Sequence, residues 1–479
     1  MSEYKPTIGL EIHAELATQT KMFCDSKNDP DLPTGQAGER EPNRNICPVC
    51  MGHPGTLPVI NKAAVAHVLR VGAACDSTLA DYTEFDRKNY FYPDLPKGYQ
   101  ISQYKHPLVS GGVLDGVALT RIHLEEDAAR NVHDEGIAGK DYSLIDYNRA
   151  GLPLMELVTE PVIKSAAQAA HFAKELQLLL RYLGASDANM DKGQMRVEAN
   201  ISVSTTEKFG TKVEVKNINS FRSVERAIEY EIARQIAAFE AGEKIAQETR
   251  GWDENANATK SQRSKEESHD YRYFPDPDLP KLVLSEIPEF KKDTLVAALP
   301  ELPWTRRARL KALGLKDDDA EMFVGTPALG DFFDAVARAL GGDTQATMRA
   351  ANYIASDVAG QLGDSNQMPG ALEFAKLMRM YGEGKVSSRG TKDILKIMME
   401  REGDPATIAE GEGLLQEDNI DTTRAMVERI IEDNPGAVSE YKAGKIASLQ
   451  FLVGQAMKFS GGRANPQMLR SLLEEILKK

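Results

Sequence analysis

The sequence predicts an α+β protein with an N-terminal region that is mostly antiparallel sheet, an all-helical middle region and a small helical bundle at the C-terminus. From residue 1 to about 290, apolar residues recur with period two between turn-forming residues, as they do in strands. Beyond the stretch from Pro288 to Pro303 the period becomes 3.6, as in helices. A chain of 479 residues also exceeds what one hydrophobic core usually serves. We therefore expect domains over residues 1–292, 293–384 and 385–479.

Four segments of the N-terminal region alternate apolar and polar side chains, which places all their polar groups on one face. Their sequences are IGLEIHAEL, VALTRIHLEEDA, QMRVEANISVS and KVEVKNINSF. The polar face carries Glu11, His13 and Glu15, then Arg121, His123, Glu125 and Asp127, then Arg196, Glu198 and Asn200, and finally Lys212, Glu214 and Lys216. Glu126 follows the apolar set, at the end of its strand.

Helices are predicted from capping residues and from apolar stripes. Within the N-terminal region, the first predicted helix runs from Ser165 to Gly184, and the second from about Ser220 to Gly242. The second helix has a predicted buried stripe of Val224, Ala227, Ile228, Ile232, Ile236 and Phe239.

The C-terminal bundle is predicted in three pieces, which turn-forming residues separate. The first is capped by Asp421 and ends at Asn434-Pro435, and the second stops at Gly461-Gly462. The last opens at Asn465-Pro466. The residues expected to face inward are Ile446, Leu449, Val453, Ala456, Leu469, Leu472, Leu473 and Ile476.

Acidic residues on four strand faces admit two interpretations. Strand by strand, a solvated outer face is the ordinary one. If the strands are neighbours, however, the carboxylates crowd together, and close like charges need a cation or basic groups between them. Carboxylates with an imidazole and an amide oxygen form a ligand set that suits Mg²⁺.

Three polar loops are rich in aromatic residues: 88–100, 146–151 and 269–275. Each could simply pack over a sheet edge. Alternatively, Tyr90, Tyr92 and Tyr271 could stack bases while Arg272 holds phosphate.

Composition limits the setting in which the protein works. A formal charge of −14 and a pI of about 5.3 argue against bulk electrostatic wrapping by nucleic acid, so any RNA contact must be local. Neither end has a signal peptide, a transit peptide or a long apolar run, so we expect a cytoplasmic protein without a membrane partner.

Cys24, Cys47 and Cys50 suggest a zinc knuckle, because two thiolates at C-x-x-C spacing can share one tetrahedral Zn²⁺. Ser26 stands two residues after Cys24, so a Cys-x-Cys pair that would supply a fourth thiolate is missing. Asp25, His53 or Cys75 could substitute, although Cys75 fits better as a small buried hydrophobe. A metal-free loop is therefore expected, with bound zinc as the alternative.

Long stretches of the chain closely resemble the B-subunit family of tRNA-dependent amidotransferases, the GatB family. The matching stretches are KNYFYPDLPKGYQISQY, RIHLEEDAAR, DYNRAGLPLMELVTEP, VEVKNINSFRSVERAIEYE, SHDYRYFPDPDLP, GKVSSRGTKDIL, NPGAVSEYKAGKIASLQFLVGQAMK and ANPQMLRSLLEEIL. They are long, occur in the family's order and reach the end of the chain. The resemblance implies a catalytic cradle domain, a helical linker domain and a YqeY-like tail that binds tRNA.

The resemblance also implies a reaction, its cofactors and its partners. ATP with Mg²⁺ phosphorylates the side-chain carboxylate of Glu-tRNA(Gln) or Asp-tRNA(Asn), and ammonia from a glutaminase A subunit then replaces the phosphate. A small C subunit completes the heterotrimer. ATP use rests on the family alone, because the sequence contains neither a phosphate-binding P-loop nor a kinase catalytic loop.

The resemblance and the polar faces of the four strands together predict the site residues. The expected catalytic residues are Glu11, His13, Glu125, Glu126, Asp146, Glu198 and Glu214, of which Glu11, His13, Glu125, Glu198 and Glu214 would hold Mg²⁺. The expected phosphate or nucleotide contacts are Lys88, Arg149, Lys216 and Asn217. In the tail, the expected RNA contacts are Lys385, Arg389, Lys392 and Lys458.

Two other functions remain open at this level. One is a non-catalytic scaffold that binds tRNA, and the other is a metal-dependent phosphoesterase. No Ser-Ser-Lys glutaminase constellation is visible, and the Ser387-Ser388 pair is expected to start a helix. The sequence does not decide which mischarged tRNA is used.

Overall fold

The computed structural model describes residues 4–29, 41–132, 144–264, 271–362, 367–416, 420–460 and 464–477. The chain forms two compact units, Met1–Pro303 and Trp304–Lys479. Their boundary follows Pro303, at the end of the stretch where the periodicity changes, and the three predicted domains over residues 1–292, 293–384 and 385–479 stay a prediction. Among the described helices none has the length and apolar content needed to cross a membrane.

The first unit contains the strands. In chain order they are β1 (Lys5–Glu15), β2 (Thr78–Leu79), β3 (Tyr82–Thr83), β4 (Asp86–Asn89), β5 (Tyr99–Ser102), β6 (Val109–Ser110), β7 (Val113–Leu114), β8 (Val117–Glu126), β9 (Arg130–Val132), β10 (Leu144–Asp146), β11 (Pro153–Thr159), β12 (Met195–Ser204), β13 (Val213–Ile218), β14 (Glu248–Asp253), β15 (Ala258–Ser264), β16 (Phe274–Pro275) and β17 (Leu282–Val283).

Helices occur in both units. They are α1 (Lys62–Ala74), α2 (Ala166–Tyr182), α3 (Phe221–Glu240), α4 (Lys292–Ala297), α5 (Pro303–Ala312), α6 (Asp317–Gly325), α7 (Pro327–Leu340), α8 (Thr344–Tyr353), α9 (Ala359–Gln361), α10 (Ala371–Gly382), α11 (Ser388–Glu400), α12 (Pro405–Gly411), α13 (Ile420–Asp433), α14 (Pro435–Lys442), α15 (Ala447–Phe459) and α16 (Pro466–Leu477).

A ten-stranded sheet organises the first unit. Its order is β15-β14-β13-β12-β1-β11-β8-β6-β2, with β7 also paired to β8. The described pairings are antiparallel except for β13 with β14, which is parallel. The sequence prediction of a mostly antiparallel sheet is therefore confirmed.

The core lies on the apolar face of this sheet. Ile8, Leu10, Ile12 and Ala14 of β1 are buried there, as the alternating pattern predicted. Helices α1, α2 and α3 cover this face. Both predicted N-caps are present, since the hydroxyl oxygens of Ser165 and Ser220 accept hydrogen bonds from the first turns of α2 and α3.

Helix α3 differs from its prediction in the face that it buries. Glu231 and Gln235 are fully buried, whereas Ile232 and Ile236 are only half-buried and Phe239 is exposed. Gln235 accepts a 3.0 Å hydrogen bond from the Val203 amide of β12, where the pairing with β13 has ended. The polar side chain is buried at this position because it accepts a hydrogen bond from a sheet amide that would otherwise be buried without a partner.

Glu231 is held by two guanidinium groups and two neutral donors. Arg234 lies 2.6 Å away and Arg250 3.6 Å, and Gln235 and Thr259 donate hydrogen bonds of 2.9 and 3.0 Å. This network joins α3 to β14 and β15, so the fully buried carboxylate is neutralised on every side.

In the second unit the last helices form a bundle whose core includes Val427, Leu449, Leu452, Ala456 and Leu473. Most of the predicted inward stripe is confirmed, but Ile446 is 69% exposed because it precedes α15. Asn465 starts α16 as predicted, and Ser387 caps α11. The predicted stop at Gly461-Gly462 and the Asp421 side chain lie outside the described residues.

Replacing Glu231 by Ala should destabilise the first unit by about 3 kcal/mol, because the partly buried Arg234 loses its carboxylate partner and the buried donors Gln235 and Thr259 lose an acceptor. The measurement is urea unfolding followed by Trp252 fluorescence in a Trp304→Phe background, since the chain has two tryptophans. Glu229→Ala, on the exposed side of the same helix, should change stability by less than about 0.5 kcal/mol. Equal effects of the two variants would refute a structural role for the buried network.

Candidate active site

The polar face of the sheet gathers acidic and imidazole groups from five strands. β1 lies between β12 and β11, and β8 lies beyond β11. The register sets Glu11 opposite Glu198, and His13 opposite Glu156. Glu156 in turn faces His123 on β8. Side chains that are far apart in sequence thus meet on one surface.

His13 is at the centre of this cluster. Its Nε2 atom lies 3.4 Å from a Glu156 carboxylate oxygen, 3.6 Å from Glu125 and 3.9 Å from Glu11. His123 Nε2 lies 3.5 Å from the same Glu156 oxygen that approaches His13. One carboxylate therefore bridges the two imidazoles.

Glu156 is a site residue that reasoning from the sequence did not select. Its strand was recognised only within the stretch DYNRAGLPLMELVTEP, and β8 is not beside β1 because β11 separates them. A signal was nevertheless present, since a lone acid between Met155 and Leu157 in an apolar strand is rarely buried without a partner.

Crowded carboxylates perturb their own ionisation. Burial, with the charges of Glu156 and Glu198, raises the pKa of Glu11 to about 7. Burial also raises the pKa of Glu125. Although burial opposes the charged ring, the hydrogen bond to Glu156 and the charges of Glu125 and Glu156 raise the pKa of His13 to about 9. Such a cluster costs free energy unless a cation enters it.

The donor atoms fit a divalent cation. Three overlapping groups have ligand atoms within 4.8 Å of one another: Glu11, His13 and Glu156; His123, Glu125 and Glu156; and Glu11, Glu198 and Glu214. In the described part of the chain, the Nδ1 atoms of His13 and His123 are buried without a hydrogen-bond partner. Mostly oxygen donors, with nitrogen available, suit Mg²⁺ or Mn²⁺.

Lysines lie at both edges of the cluster. Lys216 Nζ is 2.8 Å from Glu198 and 3.6 Å from Glu214, and Thr249 donates a 2.7 Å hydrogen bond to Glu214. On the opposite edge, burial opposes the charge of Lys88, but the Glu125 carboxylate raises its pKa. Both ammonium groups are therefore charged beside the carboxylates.

Aromatic rings surround Lys88. Its Nζ atom lies 5.0 Å from the Tyr271 ring centroid and 5.9 Å from that of Tyr90. Tyr92 and Arg272 are exposed nearby in sequence, whereas His269 and Asp270 of the same predicted loop lie outside the described residues. The predicted aromatic residues Tyr90 and Tyr271 are thus adjacent to a cluster cation.

Arg149 lies in a second charge network on the same face. It contacts Glu15 at 3.2 Å and Asp127 at 2.5 Å, and Arg196 contacts Asp127 at 3.4 Å. A cavity of about 680 Å³ opens here, and its lining includes Arg130, Arg149, Lys192 and Asn219. Arg196 is paired across the strands with His13, so this network adjoins the carboxylate cluster.

Three expected site residues do not join the cluster. Glu126 points to the opposite face, where Lys97 contacts it at 2.5 Å and the Ile101 amide donates to it at 2.9 Å. Asp146 accepts hydrogen bonds from the amides of Asn43 and Asn148. Asn217 has a positive φ of 63° and donates to the Trp252 carbonyl of β14. Hydrogen bonds with backbone groups therefore engage the side chains of all three residues.

The expected RNA contacts of the tail are exposed. Arg389 and Lys392 project from α11, Lys385 precedes this helix, and Lys458 lies on α15. Lys385 pairs with Glu383 at 2.7 Å, and Lys392 pairs with Asp357 at 2.7 Å.

The thiols of Cys24, Cys47 and Cys50 lie within 4.8 Å of one another. A fully buried Lys21 places its Nζ atom 3.9 Å from Cys50 Sγ. The hydrogen bond from Cys24, aided by Lys21 and opposed by burial, lowers the pKa of the Cys50 thiol to about 4. Cys75 is buried elsewhere as a small apolar side chain, as expected.

Comparisons with known proteins identify the class. Residues 6–288 match the family model described as the GatB/GatE catalytic domain, and residues 331–477 match the GatB domain. The chain is 42% identical over 500 residues to the B subunit of an aspartyl/glutamyl-tRNA(Asn/Gln) amidotransferase from Synechocystis sp., covering 99% of this chain and 98% of the relative.

Two further relatives carry the same name. The protein from Carboxydothermus hydrogenoformans is 42% identical over the full length of both chains, and the one from Thermomicrobium roseum is 43% identical over 100% of this chain and 99% of its own. The fold and these matches therefore define a sheet protein of the GatB type with a helical C-terminal region. The chain belongs to the family of aspartyl/glutamyl-tRNA(Asn/Gln) amidotransferase B subunits.

Proposed function

We propose that this chain activates and amidates the side-chain carboxylate of Glu-tRNA(Gln), Asp-tRNA(Asn) or both, as one member of a cytoplasmic heterotrimer. The A subunit would supply ammonia from glutamine, and the small C subunit would complete the assembly. The observation that carries the proposal is the cluster of Glu11, His13, Glu125, Glu156 and Glu198 on one sheet face. Family membership supports the same reaction.

In the first step, an oxygen of the substrate carboxylate attacks the γ-phosphorus of ATP, and the bond to ADP breaks. In the second, ammonia attacks the acyl carbon, loses a proton and expels inorganic phosphate. The product is the amide. Both steps build negative charge on phosphoryl oxygens, so the site must supply positive charge and hold the partners in place.

Mg²⁺ would be held by one or more of the overlapping groups formed by Glu11, His13, Glu125, Glu156, Glu198 and Glu214, and it would supply the charge that nucleotide phosphates need. Lys88 and Lys216, at the two edges of the cluster, would contact phosphoryl oxygens. The cavity beside Arg149 and Lys192 would take ATP, because it is concave and its lining carries three basic side chains against one carboxylate, that of Asp191.

The remaining predicted residues take supporting roles in this proposal. Tyr90, Tyr92, Tyr271 and Arg272 would contact the acceptor end of tRNA, and Lys385, Arg389, Lys392 and Lys458 the rest of its backbone. Glu126 and Asp146 are assigned to holding the loops around the site, because their carboxylates receive backbone hydrogen bonds.

Co-expression with A and C subunits tests the whole proposal. The complex should convert at least one of the two misacylated tRNAs to its amide with glutamine and ATP, whereas this chain alone should release no ammonia from glutamine. Turnover by the complex without ATP, or phosphate-ester hydrolysis by the isolated chain, would overturn the proposed reaction.

Glu156→Gln should raise the Mg²⁺ concentration needed for half-maximal amidation by about 10- to 100-fold, because the carboxylate that bridges both imidazoles is lost. The readout is a Mg²⁺ titration of the intact complex, with tRNA affinity measured in parallel. Glu160→Gln, just beyond the same strand, is the matched control and should behave as wild type. Normal amidation by Glu156→Gln would favour a scaffold role.

Zinc content should be well below one ion per chain. Only three thiols converge in the described structure, one fewer than a tetrahedral thiolate site needs, and the Nζ atom of Lys21 lies 3.9 Å from Cys50 Sγ. In Ser26→Cys a fourth thiolate would complete a tetrahedral site, so its zinc content should approach one ion per chain. Elemental analysis of both purified proteins measures the zinc content. One zinc ion per chain in the wild type would contradict the expected metal-free loop.

A further inference from the structure

An exposed tyrosine stack lies outside the residues used so far. The rings of Tyr104 and Tyr273 are nearly parallel, with centroids 4.4 Å apart and an interplanar angle of 11°. Tyr104 is 63% exposed, so it covers Tyr273 with one face and leaves the other open. Phe91, which is 82% exposed, adds an aromatic surface in the loop that joins β4 to β5.

The backbone that carries the two stacked rings is anchored to a small sheet. The backbone amide of Tyr104 donates a 2.9 Å hydrogen bond to Asp86, a buried carboxylate of β4. Tyr273 immediately precedes β16, which pairs with β4, while β4 also pairs with β5 before Tyr104. One three-stranded sheet therefore anchors the backbone that carries both rings, and backbone order that already exists need not be gained when a ligand stacks on them.

The stack leads inward to the carboxylate cluster. Tyr273 contacts Tyr271 with 6.1 Å between ring centroids, and Tyr271 lies 5.0 Å from Lys88 Nζ. Lys88 is the cation beside Glu125. An aromatic path therefore runs from open solvent at Tyr104 to the reacting centre.

The reaction proposed above brings two nucleotide-containing ligands to one cluster, and the two flanks of that cluster differ. The Arg149 flank is concave and cationic, as a nucleotide triphosphate requires. The Tyr104 flank is an open aromatic surface, which every base can use through its π-face. An open surface admits the end of a large molecule more readily than it encloses a small one.

We propose that the Tyr104–Tyr273 pair is a stacking platform for an unpaired base at the 3′ end of the aminoacyl-tRNA, and that it aims the aminoacyl group at the carboxylate cluster. This inference rests on the proposed function for its substrate. Lys105, exposed beside Tyr104, and Lys88 supply positive charge along the strand's path.

The test uses the intact heterotrimer and misacylated tRNA. Tyr104→Ala should raise the KM for aminoacyl-tRNA by about tenfold, while Tyr104→Phe, which keeps the ring, should stay within about twofold of wild type. The KM for ATP should be unchanged in both. Phe209→Ala, a 69% exposed aromatic in the turn between β12 and β13, is the control and should have no effect.

A second arm locates the contact on the RNA. Wild type and Tyr104→Ala are compared for equilibrium binding of uncharged tRNA, either whole or shortened by its unpaired 3′ nucleotides. Tyr104→Ala should weaken binding of the whole tRNA only, because a substitution and a truncation that remove one contact are not additive. An equal loss with both RNAs would overturn the proposal.

Other outcomes are equally decisive. A raised KM for ATP with unchanged tRNA binding would assign the platform to the adenine of ATP and overturn the proposal. A Tyr104→Phe loss equal to that of Tyr104→Ala would show that the hydroxyl matters and stacking does not. Because binding is measured without turnover, the platform can stand even if Glu156→Gln shows that the proposed catalytic role fails.

Discussion

The structure depends on carboxylates that are held closer together than their charges allow without compensation. Glu11, Glu125 and Glu156 surround the single imidazole of His13 within 4 Å. Rigid strand pairing prevents them from moving apart, so the protein relieves the repulsion with protons, lysines at the edges, or a bound divalent cation. A site that is costly when empty gains the most from binding a cation, so the proposed metal binding would be coupled to the stability of the sheet.

Both faces of the sheet contribute to holding the carboxylates close together. The apolar face, which α1, α2 and α3 cover, fixes the strand register, because a shift by one residue would bury every carboxylate and expose the core. The polar face can therefore carry an electrostatically unfavourable set of side chains without the fold rearranging. Glu126 illustrates the rule, since it follows Glu125 directly and yet serves the opposite face.

Periodicity predicted the strands, their polar faces and the helical second unit, because these depend on local spacing. It could not predict strand order, which depends on long-range pairing, and so β11 and Glu156 were not placed between β1 and β8. It also misplaced the buried face of α3. Gln235 and Glu231 are buried because they bond to partners on β12, β14 and β15, and these partners are distant in sequence. Asp146 and Asn217 look like ligands in sequence, but backbone groups nearby engage them.

The cation site is tested most directly by a crystal structure of the complex with Mn²⁺ and a non-hydrolysable ATP analogue, using the anomalous scattering of manganese. A Mn²⁺ peak is expected among Glu11, His13, Glu125 and Glu156, with phosphoryl oxygens of the analogue as further ligands. A nucleotide bound with its phosphates elsewhere, or a cluster without manganese at saturating concentration, would contradict this expectation.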